Sequence, residues 1–114
     1  MADSNELHIL WTTGDPDTAR YMLMMYSTNS MLNHWWDNVT VIIWGASAKL
    51  VAENDMIHEL IKTAQHAGVK FSACIGCARQ LDVYDKLAAL GIEIIPWGVP
   101  LTELLKSGGT LLTV

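Results

Sequence analysis

Positive charge is scarce in this chain: seven Lys and Arg stand against twelve Asp and Glu, for a formal net charge of −5 over 114 residues. A nucleic-acid face needs clustered basic residues, so that class of partner is not expected. No apolar run is long enough for a membrane span; the apolar-rich stretches are interrupted by Asp15, Asp37 and Asn54. The first residues, Met-Ala-Asp-Ser-Asn-Glu, lack a basic leader followed by an apolar core, and the expected location is cytoplasmic. There is no glycine-rich phosphate loop, since Thr12-Thr-Gly-Asp-Pro has neither the spacing nor the lysine. It also lacks the glycine triad of a dinucleotide fold, and no serine sits in a nucleophile-elbow pattern. No cofactor is expected. Cysteine is nearly absent as well. The two that exist, Cys74 and Cys77, are too close in sequence to make an effective structural staple.

What is abundant is apolar bulk. Hydrophobic residues make up 51% of the chain, including five Trp and six Met, which argues against disorder. A length of this order is one domain's worth, and the expectation is a single domain over 1–114. Surplus aromatics and methionines in so small a domain fit core filling together with a buried subunit contact, so a homo-oligomer is expected.

Strand-like and helix-like patterns alternate along the chain. Leu7–Thr12 reads as a first strand and Pro16–Asn33 as a helix. Asp15 is the N-cap, Pro16 the first helical residue, and Ala19, Met22, Leu23, Tyr26 and Met31 the apolar side. Asn38–Gly45 is an apolar second strand with both faces buried. Ala46–Ala52 reads as a short helix or a lid. A helix starting at Asn54 or Asp55 runs to Ala67 on the stripe Met56, Ile57, Leu60, Ile61 and Ala64, and Gly68 ends it. Val69–Cys74 is strand three. Cys77–Leu90 is mostly helical with a break near Asp82. Ile92–Ile95 is strand four, Pro96–Pro100 a turn, Leu101–Lys106 a short helix, and Thr110–Val114 strand five. This rhythm predicts a three-layer α/β/α fold with a mainly parallel five-stranded sheet and right-handed crossovers.

In such a sheet the loops that follow the strands gather on one edge, where open α/β proteins place their chemistry. Those loops carry Thr12–Asp15, Trp44–Ser47, Cys74–Cys77 and Pro96–Val99. The cysteines stand at a strand-to-helix junction. A helix N-terminus offers free N–H groups and positive dipole, which favour a thiolate. Gly76 lies between them and permits close approach or an unusual dihedral, and Arg79 is one short turn further on. A Cys-x-x-Cys pair can close a disulfide or divide labour, one sulfur accepting and the other resolving. The lesser alternative is two small buried packing residues, a reading that fits Cys74 better because it continues the strand. A metal site is not expected: closed zinc sites want four ligands, and His8, His34, His58 and His66 are scattered over different elements. Thr13, Asp15, Gly45, Gly76, Arg79 and Trp97 are the candidate substrate-contacting residues, although Asp15 has its capping role as the plainer reading. Trp44, Trp97 and Tyr84 line a pocket or pack. A thioredoxin fold does not fit, because the pair follows the third strand and no argument sets Pro96 against the sulfurs.

The run Gly68-Val-Lys-Phe-Ser-Ala-Cys-Ile-Gly-Cys-Ala-Arg, then a helix, then Leu90-Gly-Ile-Glu-Ile-Ile, resembles the DsrE/DsrF/DsrH superfamily of small sulfur-relay proteins, which includes YchN-like and TusBCD-type members. The resemblance extends over nearly the whole chain. It implies that Cys74, by its position, accepts a persulfide from a donor protein and passes sulfur to an acceptor protein. Cys77 is an additional cysteine that simple relay members do not need. The resemblance also implies trimers or hexamers. Exposure can reverse the order of the two cysteines and make Cys77 the nucleophile. Two other readings stand beside the relay: a non-catalytic ligand-binding or assembly protein, and a small dithiol redox protein.

Overall fold

The computed structural model describes residues 5–114. The reading of Met1–Ser4 as part of a leaderless N-terminus lies outside them. One sheet holds five strands in the order β4-β3-β2-β1-β5, formed by β1 (Glu6–Trp11), β2 (Asn38–Ile43), β3 (Lys70–Cys74), β4 (Glu93–Ile95) and β5 (Thr110–Thr113). Every pairing is parallel, so the expected three-layer α/β/α architecture is what forms.

Chain direction explains the layers. From β1 through β4 each strand is added on the same side, so right-handed crossovers leave their helices on one face. These are α1 (Pro16–Thr18), a π-helical segment (Ala19–Met24), α2 (Met25–Leu32), α3 (Ala46–Glu53), α4 (Asp55–Ala67), α5 (Ile75–Gln80) and α6 (Tyr84–Ala89). The step from β4 back to β5 runs the other way. Its helix, α7 (Gly98–Lys106), therefore lies on the opposite face. The larger core joins Leu7, Ile9, Trp11, Val39, Val41, Ile43, Phe71 and Ala73 of the sheet to Leu23, Val51, Ile57, Ile61 and Leu87 of the helices. A second, smaller cluster of Ile42, Cys74 and Trp97 lies beyond it, with Leu101 of α7 packed against it.

Several expectations need correcting. The first helix is not regular. Its π-helical segment winds an extra residue into the turn, which buries the consecutive pair Leu23 and Met24. Met22, assigned to the core side, is instead exposed. The helix ends at Leu32; Trp36 then folds back so that its indole N–H donates to the Tyr26 hydroxyl at 3.1 Å. Ala46–Glu53 is a packed helix, not a lid, with Ala48 and Val51 fully buried. The break near Asp82 is real: Asp82 takes φ +57 between α5 and α6. Helix α7 starts at Gly98, ahead of the expected Leu101, with Pro100 in its first turn where the missing N–H is harmless. The α4 stripe and its left-handed Gly68 cap, φ +109, form as expected.

Candidate functional site

Strands β3 and β4 are neighbours, yet the chain leaves β3 toward one face, through α5, and β4 toward the other, through α7. That divergence separates the loops that follow the two strands, at the sheet edge where open α/β proteins place their ligands. Cys74 is the last residue of β3, paired in register with Ile95 of β4. Helix α5 begins at the next residue, and Cys77 lies in its first turn.

The two sulfurs sit in different surroundings. Cys74 is buried at 9% exposure in the cluster with Ile42 and Trp97. Cys77 is half-buried and touches both cores. Both are free thiols. The backbone N–H of Gly45 donates to Cys77 Sγ at 3.3 Å, across from the loop after β2. Gly45 adopts φ +76 and ψ −135 as the N-cap of α3, a conformation suited to glycine. Ser47 pins this loop: its hydroxyl donates to the carbonyl of Trp11 and accepts the N–H of Trp44 at 3.1 Å.

A helix N-terminus by itself lowers a thiol pKa. At Cys77 the balance runs the other way. Burial is the largest influence and pushes the thiol up. The Gly45 N–H pulls it down without compensating, and the adjacent Cys74 thiol pushes it further up through charge and hydrogen bonding. Helix α5 has only six residues, so its dipole is short. Thiolate is the reactive form, and its fraction at neutral pH is thereby reduced. In a Cys74→Ser protein, where burial still acts, the Cys77 alkylation rate is expected to keep climbing as pH passes about 8.5, the midpoint of a free cysteine. A rate that levels off below that pH contradicts this balance.

The other candidate residues divide. Trp97 meets the site directly, packed on Cys74 with its N–H bonded to Ser72 Oγ at 2.7 Å. Gly45 meets it through the N–H on Cys77. Gly76 has no left-handed dihedral, and a Cβ there would sit 3.8 Å from Cys74 Sγ, an ordinary contact; the special conformation expected of it is absent. Arg79 is exposed in the last turn of α5 and, among the described residues, forms no hydrogen bond with either cysteine. Asp15 caps α1, accepting from the Thr18 N–H at 2.9 Å and from the Thr18 hydroxyl at 2.6 Å, and these bonds hold its carboxyl below the usual range. Thr13 Oγ1 accepts the Asp15 N–H at 3.1 Å, so both residues serve the turn after β1. Tyr84 is exposed, while Trp44 packs on the smaller cluster. Ser72, Ser47 and Glu93 escape a sequence reading. Ser72 does leave a signal: it is a hydroxyl inside an apolar strand, on the same face as Cys74 and two residues before it.

Among the described residues no group of three or more His, Cys, Asp or Glu side chains is placed to share a metal ion, and no helix is long and apolar enough to cross a membrane.

No family model matches the sequence. No curated protein matches it. Solved structures do resemble it. A protein of unknown function from Methanobacterium thermoautotrophicum, MTH1491, shares 15% identity over 96% of this chain and 97% of its own, with a TM-score of 0.75, which speaks to the fold alone. BT1422, a conserved protein of unknown function from Bacteroides thetaiotaomicron, is 39% identical over 100% of both chains, with a TM-score of 0.96. The architecture is of the DsrE-like kind, and at that identity over its full length the chain belongs to the same family as BT1422.

Proposed function

We propose that this protein is an intracellular thiol-dependent sulfur carrier in which Cys77 takes sulfane sulfur from a donor persulfide. The observation that carries the reading is the pair of free thiols where β3 passes into α5, one half-exposed with a backbone donor on its sulfur and one buried beside it. In the loading step the Cys77 thiolate attacks the outer sulfur of the donor persulfide. The new S–S bond leaves a persulfide on Cys77, and the donor departs as a thiolate. An acceptor thiolate then attacks the outer sulfur, regenerating the Cys77 thiolate. The DsrE-like architecture supports the class of chemistry, and the greater exposure of Cys77 favours it over Cys74 as the accepting sulfur.

Intact mass after incubation with a low-molecular-weight persulfide, without reductant, tests the proposal. The wild-type protein is expected to gain one sulfur atom and to yield it to a second thiol, and a Cys74→Ser/Cys77→Ser double variant to gain none. An unchanged mass on folded wild-type protein would sink the carrier and leave a binding or assembly role. The proximity of Cys74 also supports a dithiol redox reading, in which the Cys74–Cys77 disulfide forms with no earlier gain of sulfur at any time point.

The carrier is further proposed to be a homo-oligomer, a trimer or hexamer as in DsrE-like relay proteins. From Tyr21 to Trp36 the chain has no Asp, Glu, Lys or Arg, and Tyr21, Met25, Leu32 and Trp35 are each more than half exposed. Interfaces favour that composition, depleted in charge and rich in Tyr, Trp and Met. Light scattering is expected to give a multiple of 12.6 kDa, reduced by Met25→Lys. A wild-type monomer at micromolar concentration would refute it.

A further inference from the structure

The face of the sheet that carries Cys74 holds a polar chain for which the sulfur steps have no use. Ser72 is buried at 2% exposure and pairs in register with Glu93 of β4. Its hydroxyl accepts the indole N–H of Trp97 at 2.7 Å and donates to the Glu93 carboxylate at 2.9 Å. Glu93 itself is exposed. A groove of about 580 Å³ runs along this face, lined by His8, Thr40, Lys70, Ser72, Glu93 and Trp97 among others, and it brings solvent to the carboxylate end of the chain.

Both hydrogen bonds point the same way, from indole to hydroxyl to carboxylate. Bonds in series polarise one another, and the last is assisted by the carboxylate charge. The consequence falls on the ring. Trp97 is packed with Ile42 and Cys74 in one buried cluster, and His8 meets its ring edge-on at 6.5 Å. Anchoring the N–H at Ser72 removes the freedom of the indole to swing off the sulfur.

We propose that Glu93 is a positioning residue for Cys74: through Ser72 it fixes the Trp97 indole against the thiol and keeps Cys74 shielded while Cys77 takes sulfur. This deepens the division of labour proposed above and rests on it for its functional meaning. The shielding itself is measurable without any sulfur donor.

The test is the alkylation rate of Cys74 by iodoacetamide in a Cys77→Ser background, with the rate of Cys77 in a Cys74→Ser background as control. Glu93→Ala and Ser72→Ala are each expected to raise the Cys74 rate at least about tenfold, the low end of the factor that corresponds to losing one hydrogen bond to a charged group. Combined, they are expected to do no more than either alone, because both act through one chain. Glu93→Gln keeps an oxygen that accepts from Ser72 but loses the charge, so its rate is expected to fall between the parent's and that of Glu93→Ala. The Cys77 control is expected not to move. An unchanged Cys74 rate in Glu93→Ala overturns the proposal. So does an equal acceleration of both cysteines, which would report a general loosening of the fold. Glu93 is exposed, so its variants test the idea even where Ser72→Ala fails to fold. If the protein takes up no sulfur, these rates are unaffected, and the two proposals fail separately.

Discussion

Cys77→Ser is expected to take up no sulfur from a persulfide donor, whereas Cys74→Ser is expected to load and to hold the sulfur longer than the wild-type protein. The first half follows from access. A donor persulfide must bring its outer sulfur into line with the attacking thiolate, and Cys74, at 9% exposure under Trp97, offers no such approach. Cys77 is half-buried, and its sulfur already holds a backbone N–H that stabilises negative charge. The second half follows from what lies behind it. Cys74 is close enough for its thiol to influence the ionisation of Cys77. Once Cys77 carries a persulfide, the Cys74 thiolate can attack the inner sulfur. The bond to the outer sulfur breaks, hydrosulfide leaves, and a Cys74–Cys77 disulfide remains. Serine at position 74 removes that drain. Intact mass followed over time, with sulfide measured in parallel, reads both effects. Loading that survives in Cys77→Ser and disappears in Cys74→Ser would reverse the assignment and restore the order implied by family resemblance.

Gly45→Ala is expected to lower stability by about 1–3 kcal/mol, the usual cost of holding a side-chain-bearing residue in a sparsely populated backbone region. Space is not the reason, because a Cβ at this position meets nothing within 4 Å. The strain comes from φ +76 with ψ −135. The loop cannot relax freely: Ser47 ties it to the Trp11 carbonyl, and the Trp44 N–H donates to that same carbonyl at 3.1 Å. If the backbone does give, the N–H of residue 45 moves off Cys77. The one influence that pulls that thiol's pKa down is then weakened, and alkylation of Cys77 at neutral pH slows. Urea denaturation measures the first effect, and the alkylation rate in a Cys74→Ser background measures the second. A fully stable Gly45→Ala protein with unchanged Cys77 reactivity would show that the glycine is not required.

The strand and helix order was legible because local periodicity and punctuation carry it. Ile57, Ile61 and Ala64 repeat at helical spacing, Gly68 stops the helix, and Pro16 after Asp15 starts one. The parallel three-layer arrangement follows from strict alternation, since parallel neighbours need a crossover. The π-helical winding at Ala19–Met24 was not legible, because nothing local favours it over the regular helix; burial of both Leu23 and Met24 against the sheet accompanies it. Nor was the reach of α7 back to Gly98 legible, where Gly and Pro read locally as a turn.

The site divides in the same way. Sequence by itself determined that the only thiols in the chain stand where a strand passes into a helix, a property of neighbours along the chain. Tertiary structure alone decided which of them is open and which is covered. Cys74 is closed by Trp97, which arrives from the other side of β4, and Cys77 is met by Gly45 from the loop after β2. Both contacts join residues far apart in sequence, brought together by the register of parallel strands and by the reversal after β4 that sends α7 to the opposite face. Burial, the largest influence on the Cys77 thiol, is a sum over such contacts. No stretch of neighbouring residues encodes it.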